Sequence, residues 1–169
     1  MGNFEKAFAI VVGVEARLSL DPNDPGNWTG GARGAGVLKG TKYGISAKAY
    51  PNEDIANLTL DRAQALYRAD YWNKVSGDAL PYPLCLLVFD CAVNQGEGIA
   101  RTRMQTALGV VADGVIGPKT IAAAQASTVE HWGAFMTLRR HRYEQSPDYP
   151  RYGDGWSNRL FIVCLLSGA

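Results

Sequence analysis

The sequence predicts a mainly α domain with one irregular insertion behind its first helix, and three patterns carry that expectation. Apolar residues recur at 4, 7, 8, 11, 12 and 14, which is the helical period. From Leu20 to Gly44 the character changes: Pro22, Pro25 and seven glycines between 26 and 44 forbid a long helix and fit a Gly-rich loop or a small β-hairpin. Beyond this stretch helical patterns return and continue to the end of the chain.

Taken in order, the first helix has Asn3 as its N-cap and Glu5 in its first turn, and Glu15 continues the apolar stripe at its far end. A second pattern covers 59–73 and opens on Thr59-x-x-Arg62. Residues 83–95 are apolar nearly all round, so that segment is expected as a buried helix. Amphipathic or helical patterns occupy 98–108, 118–126, 128–145 and 156–166, with the turn-rich stretch 146–155 between the last two. At 169 residues, 47% hydrophobic and 20% charged, the chain fits one domain over 1–169.

Composition removes several functions. Seventeen basic against sixteen acidic residues leave a net charge of +1, which supplies no basic face for nucleic acid. The apolar runs 84–93 and 160–166 fall far short of the roughly 20 residues a spanning helix needs, so stable membrane insertion is not expected. The opening Met1-Gly2-Asn3-Phe4-Glu5-Lys6 lacks the basic n-region of a leader peptide. Three cysteines are an odd number for a disulfide framework and agree with a reducing compartment. Two histidines ten apart, with no paired-cysteine or His-Glu-x-x-His pattern, give no zinc site. Asp21-x-Asn23-x-Pro25-Gly26 begins like a calcium loop but has Pro25 and Ala32 at ligand positions. No metal and no cofactor are expected.

Glu15 is either a surface residue ending a helix or an acid. Partial burial and the negative end of the helix would both disfavour its anion and suit it to donate a proton. Nine positions on stands Asp24, and after the glycines comes Thr41. A loop folding back would set this carboxylate and hydroxyl opposite Glu15, the arrangement by which an inverting glycosidase holds a water.

Several runs carry a family resemblance. They are Phe4 to Glu15, Asp21-Pro22-Asn23-Asp24-Pro25-Gly26, Gly40-Thr41-Lys42-Tyr43-Gly44-Ile45-Ser46, Tyr71-Trp72 and Asp90-x-Ala92-Val93-Asn94-x-Gly96. In that order they resemble the glycoside hydrolase family 108 N-acetylmuramidases of phages and prophages. The segment Ala107-Leu108-Gly109-Val110-x-x-Asp113-Gly114-Val115-Ile116-Gly117-Pro118-Lys119-Thr120 looks like the peptidoglycan-binding region of such endolysins. The resemblance implies a lysozyme-like helical fold, a catalytic region over about 1–96 and a peptidoglycan-binding-like helical region over about 97–169. It implies cleavage between N-acetylmuramic acid and N-acetylglucosamine, with Glu15 as the acid of a Glu-Gly-Gly-Tyr motif. Ala16-Arg17-Leu18 replaces the last three residues of that motif. Asp24 and Thr41 are implied by the Glu-Asp-Thr order of phage lysozymes, with Asp21 competing for the role of Asp24.

Trp28, Tyr43 and Tyr71 are candidate sugar-stacking residues, and Trp72 fits either stacking or the core. Asn94 fits a hydrogen bond to an acetamido group or the capping of a buried loop. Arg139, Arg140 and Arg142 beside His141 read as a solvated helix face, with contact to an anionic wall the alternative. Cys85, Cys91 and Cys164 read as small buried hydrophobes. The expected function is lysis of the bacterial cell wall by a monomeric endolysin that accumulates in the host cytoplasm and reaches periplasmic peptidoglycan through a holin-like pore. A cell-wall binder that has lost turnover and a lytic transglycosylase are the alternatives.

Overall fold

The computed structural model describes residues 2–13 and 17–168, so Glu15 and its neighbours Val14 and Ala16 lie outside the described residues. In chain order the elements are α1 (Asn3–Val11), β1 (Leu18–Ser19), β2 (Thr41–Lys42), β3 (Ile45–Ser46), α2 (Leu60–Tyr67), α3 (Leu84–Gln95), α4 (Glu97–Ala107), α5 (Pro118–Gln125), α6 (Val129–Glu144) and α7 (Tyr149–Ser167). The fold is mainly α with a small antiparallel sheet behind the first helix, as expected. It divides into two compact units, residues 1–11 with 68–169 and residues 12–67.

In the first unit α3 is the hub, buried without interruption from Leu84 to Ala92, and α1, α4, α6 and α7 pack on it. A helix apolar on every face has no side to give to water, so it is enclosed. Phe4 on α1 meets Trp72 and Phe89 edge-on at 5.4 and 6.0 Å, and Trp72 meets Phe89 at 5.5 Å. Trp72 is therefore core. The polar anchor is Gln105, 1% exposed, whose Nε2 donates to Asp113 Oδ1 (2.9 Å), Val115 O (3.0 Å) and Thr120 Oγ1 (3.2 Å). Its Oε1 accepts from Gly114 N at 2.7 Å, so one side chain pins the Asp-Gly-Val-Ile-Gly-Pro-Lys-Thr segment to α4 and α5. Among the described residues no helix is long and apolar enough to cross a membrane.

Three element boundaries differ from the sequence reading. The first helix stops at Val11, and Gly13 takes φ +86°, so the regular helix ends four residues short of Glu15. The pattern over 59–73 is α-helical only to Tyr67; Arg68–Trp72 forms a π-helical turn and Asn73–Val75 a 3₁₀ turn. Packing overrides the 3.6 period there, because Trp72 is fully buried and its Nε1 donates to Asp78 Oδ1 at 2.9 Å. The stretch 146–155 is not a long turn: α7 begins at Tyr149. Pro150 falls in the first turn, where a missing N–H costs nothing. Gly153 is buried where a Cβ would come within 2.8 Å of the Tyr149 ring, so its glycine serves packing.

In the second unit β1, β2 and β3 form an antiparallel sheet in that order, with Leu18 opposite Lys42 and Thr41 opposite Ser46. Strands β2 and β3 are joined by Tyr43 and Gly44, both at positive φ (51° and 72°), the two-residue connection whose twist suits a hairpin. Ile45, Ala47, Ile55, Leu58, Ala63 and Tyr67 form a small core, and the Tyr67 hydroxyl donates to the Tyr43 carbonyl at 3.1 Å. Loop and hairpin thus coexist in the insertion.

Candidate active site

The loop before the hairpin is built from side-chain turns. Asp21 Oδ1 accepts from Asn23 N (2.9 Å) and Nδ2 (3.1 Å). Asp24 caps the short 3₁₀ turn Pro25–Asn27, its Oδ1 accepting from Gly26 N at 2.8 Å. Such Asx turns are what short carboxylates do where the backbone reverses. Both aspartates are exposed, and among the described residues each keeps its second oxygen without a partner.

Asn27 organises the approach to the hairpin. It is fully buried, its carbonyl accepts from the backbone N–H groups of Lys39 and Gly40 (3.0 Å each), and its Nδ2 donates to Asp21 O at 2.9 Å. Its Oδ1 accepts from Thr41 Oγ1 at 2.7 Å. The Thr41 hydroxyl proton is thereby committed, which leaves the oxygen's lone pairs for an outside donor such as a water. One buried amide holds both Thr41 and the loop carrying Asp21 and Asp24. The sequence pattern does not single out Asn27, because Pro-Gly-Asn looks like any other turn.

Trp28 is half-buried, its indole N–H fixed on Pro22 O at 3.0 Å, and Tyr43 is half-buried at the hairpin tip with the Lys42 ammonium 5.9 Å from its ring. Asp24, Thr41, Trp28 and Tyr43 thus belong to one compact unit. Tyr71 and Asn94 belong to the other, Tyr71 half-buried in the π-helical turn and Asn94 exposed near the end of α3. Asn94 Nδ2 donates to Asp90 O (2.7 Å) and Asp90 Oδ1 (3.2 Å), so its amide nitrogen serves the helix. Among the described residues no group of three or more His, Cys, Asp or Glu is placed to hold a metal ion.

Asp90 itself is 1% exposed, with Oδ2 on Arg139 Nη2 and Oδ1 on Arg159 Nη2, each at 2.5 Å. Arg159 Nη2 also donates to Val11 O at 3.1 Å, satisfying a carbonyl at the end of α1. The arginine run on α6 is therefore not uniformly solvated: Arg139 is fully buried against Asp90, and Arg140 pairs with Glu144 at 2.5 Å. Burial pushes the thiols of Cys85 and Cys91 up to about 11, while Cys164 is only half-buried.

The whole chain is similar to a solved protein. It aligns with the structure of Brucella abortus SagA over 98% of its own length and 94% of that chain, at 28% identity and a TM-score of 0.76. With the small sheet and the helical hub, this is a lysozyme-like fold. The sequence profile of Glycosyl hydrolase 108 matches residues 8–96, which span the aspartate loop, the hairpin and α3. The chain belongs to that family and is a glycoside hydrolase. No curated protein matches it.

Proposed function

We propose that this protein hydrolyses bacterial peptidoglycan at the bond between N-acetylmuramic acid and N-acetylglucosamine. Glu15 donates its proton to the glycosidic oxygen as the C–O bond breaks. Asp24, through its uncommitted oxygen, takes a proton from the water that adds to the anomeric carbon. Thr41 orients that water with the lone pairs left after its bond to Asn27. The observation that carries this reading is the Asn27–Thr41 pair beside an exposed, half-committed Asp24, within the segment matched by the family. Trp28, Tyr43, Tyr71 and Asn94 are assigned to sugar contacts, and residues 97–169 to grip on the wall polymer. An endolysin role in phage lysis, action as a monomer, and a cytoplasmic pool released through a holin-like pore belong to the same proposal.

Glu15→Gln tests the acid. The isostere keeps shape but has no proton to give, a loss of about 10²–10⁴-fold for general acid catalysis. Turnover of purified peptidoglycan above about a tenth of wild type would overturn the assignment. Asp24→Asn is expected to lower turnover more than Asp21→Asn; the reverse order transfers the second role to Asp21.

A further inference from the structure

Where α3 ends, α6 ends and α7 begins, the first unit holds a cavity of about 560 Å³ lined by Asn94, Arg142, Tyr143, Gln145 and Trp156, among others. One wall is aromatic: the Tyr143 and Trp156 rings stack at 4.8 Å with planes 22° apart. Burial raises the Tyr143 phenol above its ordinary range, so that ring stays neutral, and among the described residues lining the space Arg142 is the one that is charged. The neighbouring cations on α6 are spent, Arg139 on Asp90 and Arg140 on Glu144. Arg142 has no acid or hydrogen-bond partner among the described residues, and neither have the Trp156 indole N–H, the Gln145 side chain or the Asn94 amide oxygen.

Resting on the proposed peptidoglycan activity, we propose that this cavity binds the peptide stem of the wall polymer, with Arg142 holding a stem carboxylate. A planar guanidinium matches a carboxylate in two parallel hydrogen bonds. The stacked rings cover the aliphatic part of the peptide, and the free Gln145 amide meets its N–H and C=O groups. The volume lies within the usual 300–1,000 Å³ range of ligand pockets, roughly enough for a short peptide. A single cation suits one carboxylate. A polyphosphate or a nucleic-acid backbone would call for several.

The test is direct titration of the full chain with N-acetyl-L-Ala-γ-D-Glu-L-Lys, in its free-acid form and with both carboxyls amidated. Wild type is expected to bind the free acid, and Arg142→Gln to bind it about tenfold more weakly, as expected for loss of one partly exposed charge-assisted pair. Amidation should weaken wild type by a similar factor and leave the variant unchanged. On intact peptidoglycan Arg142→Gln should raise KM with kcat kept, and on glycan stripped of its stems it should change neither. No binding by wild type, or equal weakening of Arg142→Gln toward both peptide forms, would overturn the proposal. If the wall is cleaved but the peptide does not bind, the cavity assignment alone fails. If the peptide binds as described but the wall is not cleaved, the proposed activity fails and the cavity assignment stands.

Discussion

In the unit formed by residues 1–11 and 68–169, the Asp90 carboxylate is 1% exposed and both oxygens are taken by arginines; in the unit formed by residues 12–67, Asp24 is exposed and spends one oxygen on Gly26. The same functional group is thus put to two uses. Enclosed between two guanidinium groups, Asp90 has no oxygen left for a proton in transit, and it ties α3 to α6, to α7 and, through Arg159, to the end of α1. Asp24 is held by a turn of its own loop and keeps one oxygen without a partner among the described residues, the oxygen to which the proposed function gives the proton of the attacking water. Lone pairs all used by the fold mark a structural carboxylate; a free oxygen, which Asp21 keeps as well as Asp24, permits chemistry without assigning it.

The largest effect that would test this contrast is on stability. Asp90→Ala leaves Arg139 buried without its partner and should lower unfolding free energy by about 3–5 kcal/mol. Asp24→Asn should stay within about 0.5 kcal/mol of wild type, since asparagine caps as well as aspartate, and should instead lose turnover. Denaturant unfolding of both variants beside a peptidoglycan turbidity assay reads both effects. If the two variants lose equal stability, the division between structural and reactive carboxylates does not hold.

A smaller effect is expected at Asn27. Asn27→Ala removes the acceptor of Thr41 Oγ1 and a donor to Asp21 O, at a cost of about 1–3 kcal/mol. Turnover should fall with it, because the loop and the hairpin share this one amide. Full activity in Asn27→Ala would separate Thr41 from the chemistry.

How much of the fold is legible in the sequence depends on the reach of each interaction. The helices on either side of the insertion, and the enclosure of residues 84–92, are written in local periodicity and in the all-round apolar character of one segment. The ends of α1, α2 and α7 are not, because Gly13, the burial of Trp72 and the Tyr149–Gly153 contact decide them. Thr41 and Asp24 are proposed from the sequence through their likeness to the Glu-Asp-Thr order of phage lysozymes. Asn27 is not, since its role depends on a partner fourteen residues away. The Asp90–Arg139 pair spans forty-nine residues, and no spacing rule distinguishes Arg139 from the exposed arginines beside it.

The effect that is absent at neutral pH and appears only in alkali is a pH dependence of the first unit, which holds all three cysteines. Cys85 and Cys91 have thiols raised from 9.0 to about 11, with burial the leading cause in both. A raised pKa means the folded state favours the neutral thiol. The associated stability is complete below the unfolded value and is lost as pH climbs through the window from about 9 to about 11. Urea midpoints should fall across that interval and fall less in Cys91→Ala. Both buried thiols should resist alkylation at neutral pH in the native protein. Rapid labelling of Cys91 there would place it in an open environment.

Hydrolysis by the unit that holds Asp24 and Thr41 is tested most directly by digesting purified peptidoglycan in ¹⁸O-labelled water and weighing the fragments. Wild type is expected to give new muramic acid reducing ends carrying one ¹⁸O atom, and Glu15→Gln nearly none. Anhydro ends without the label, or no new ends from wild type, would contradict hydrolysis.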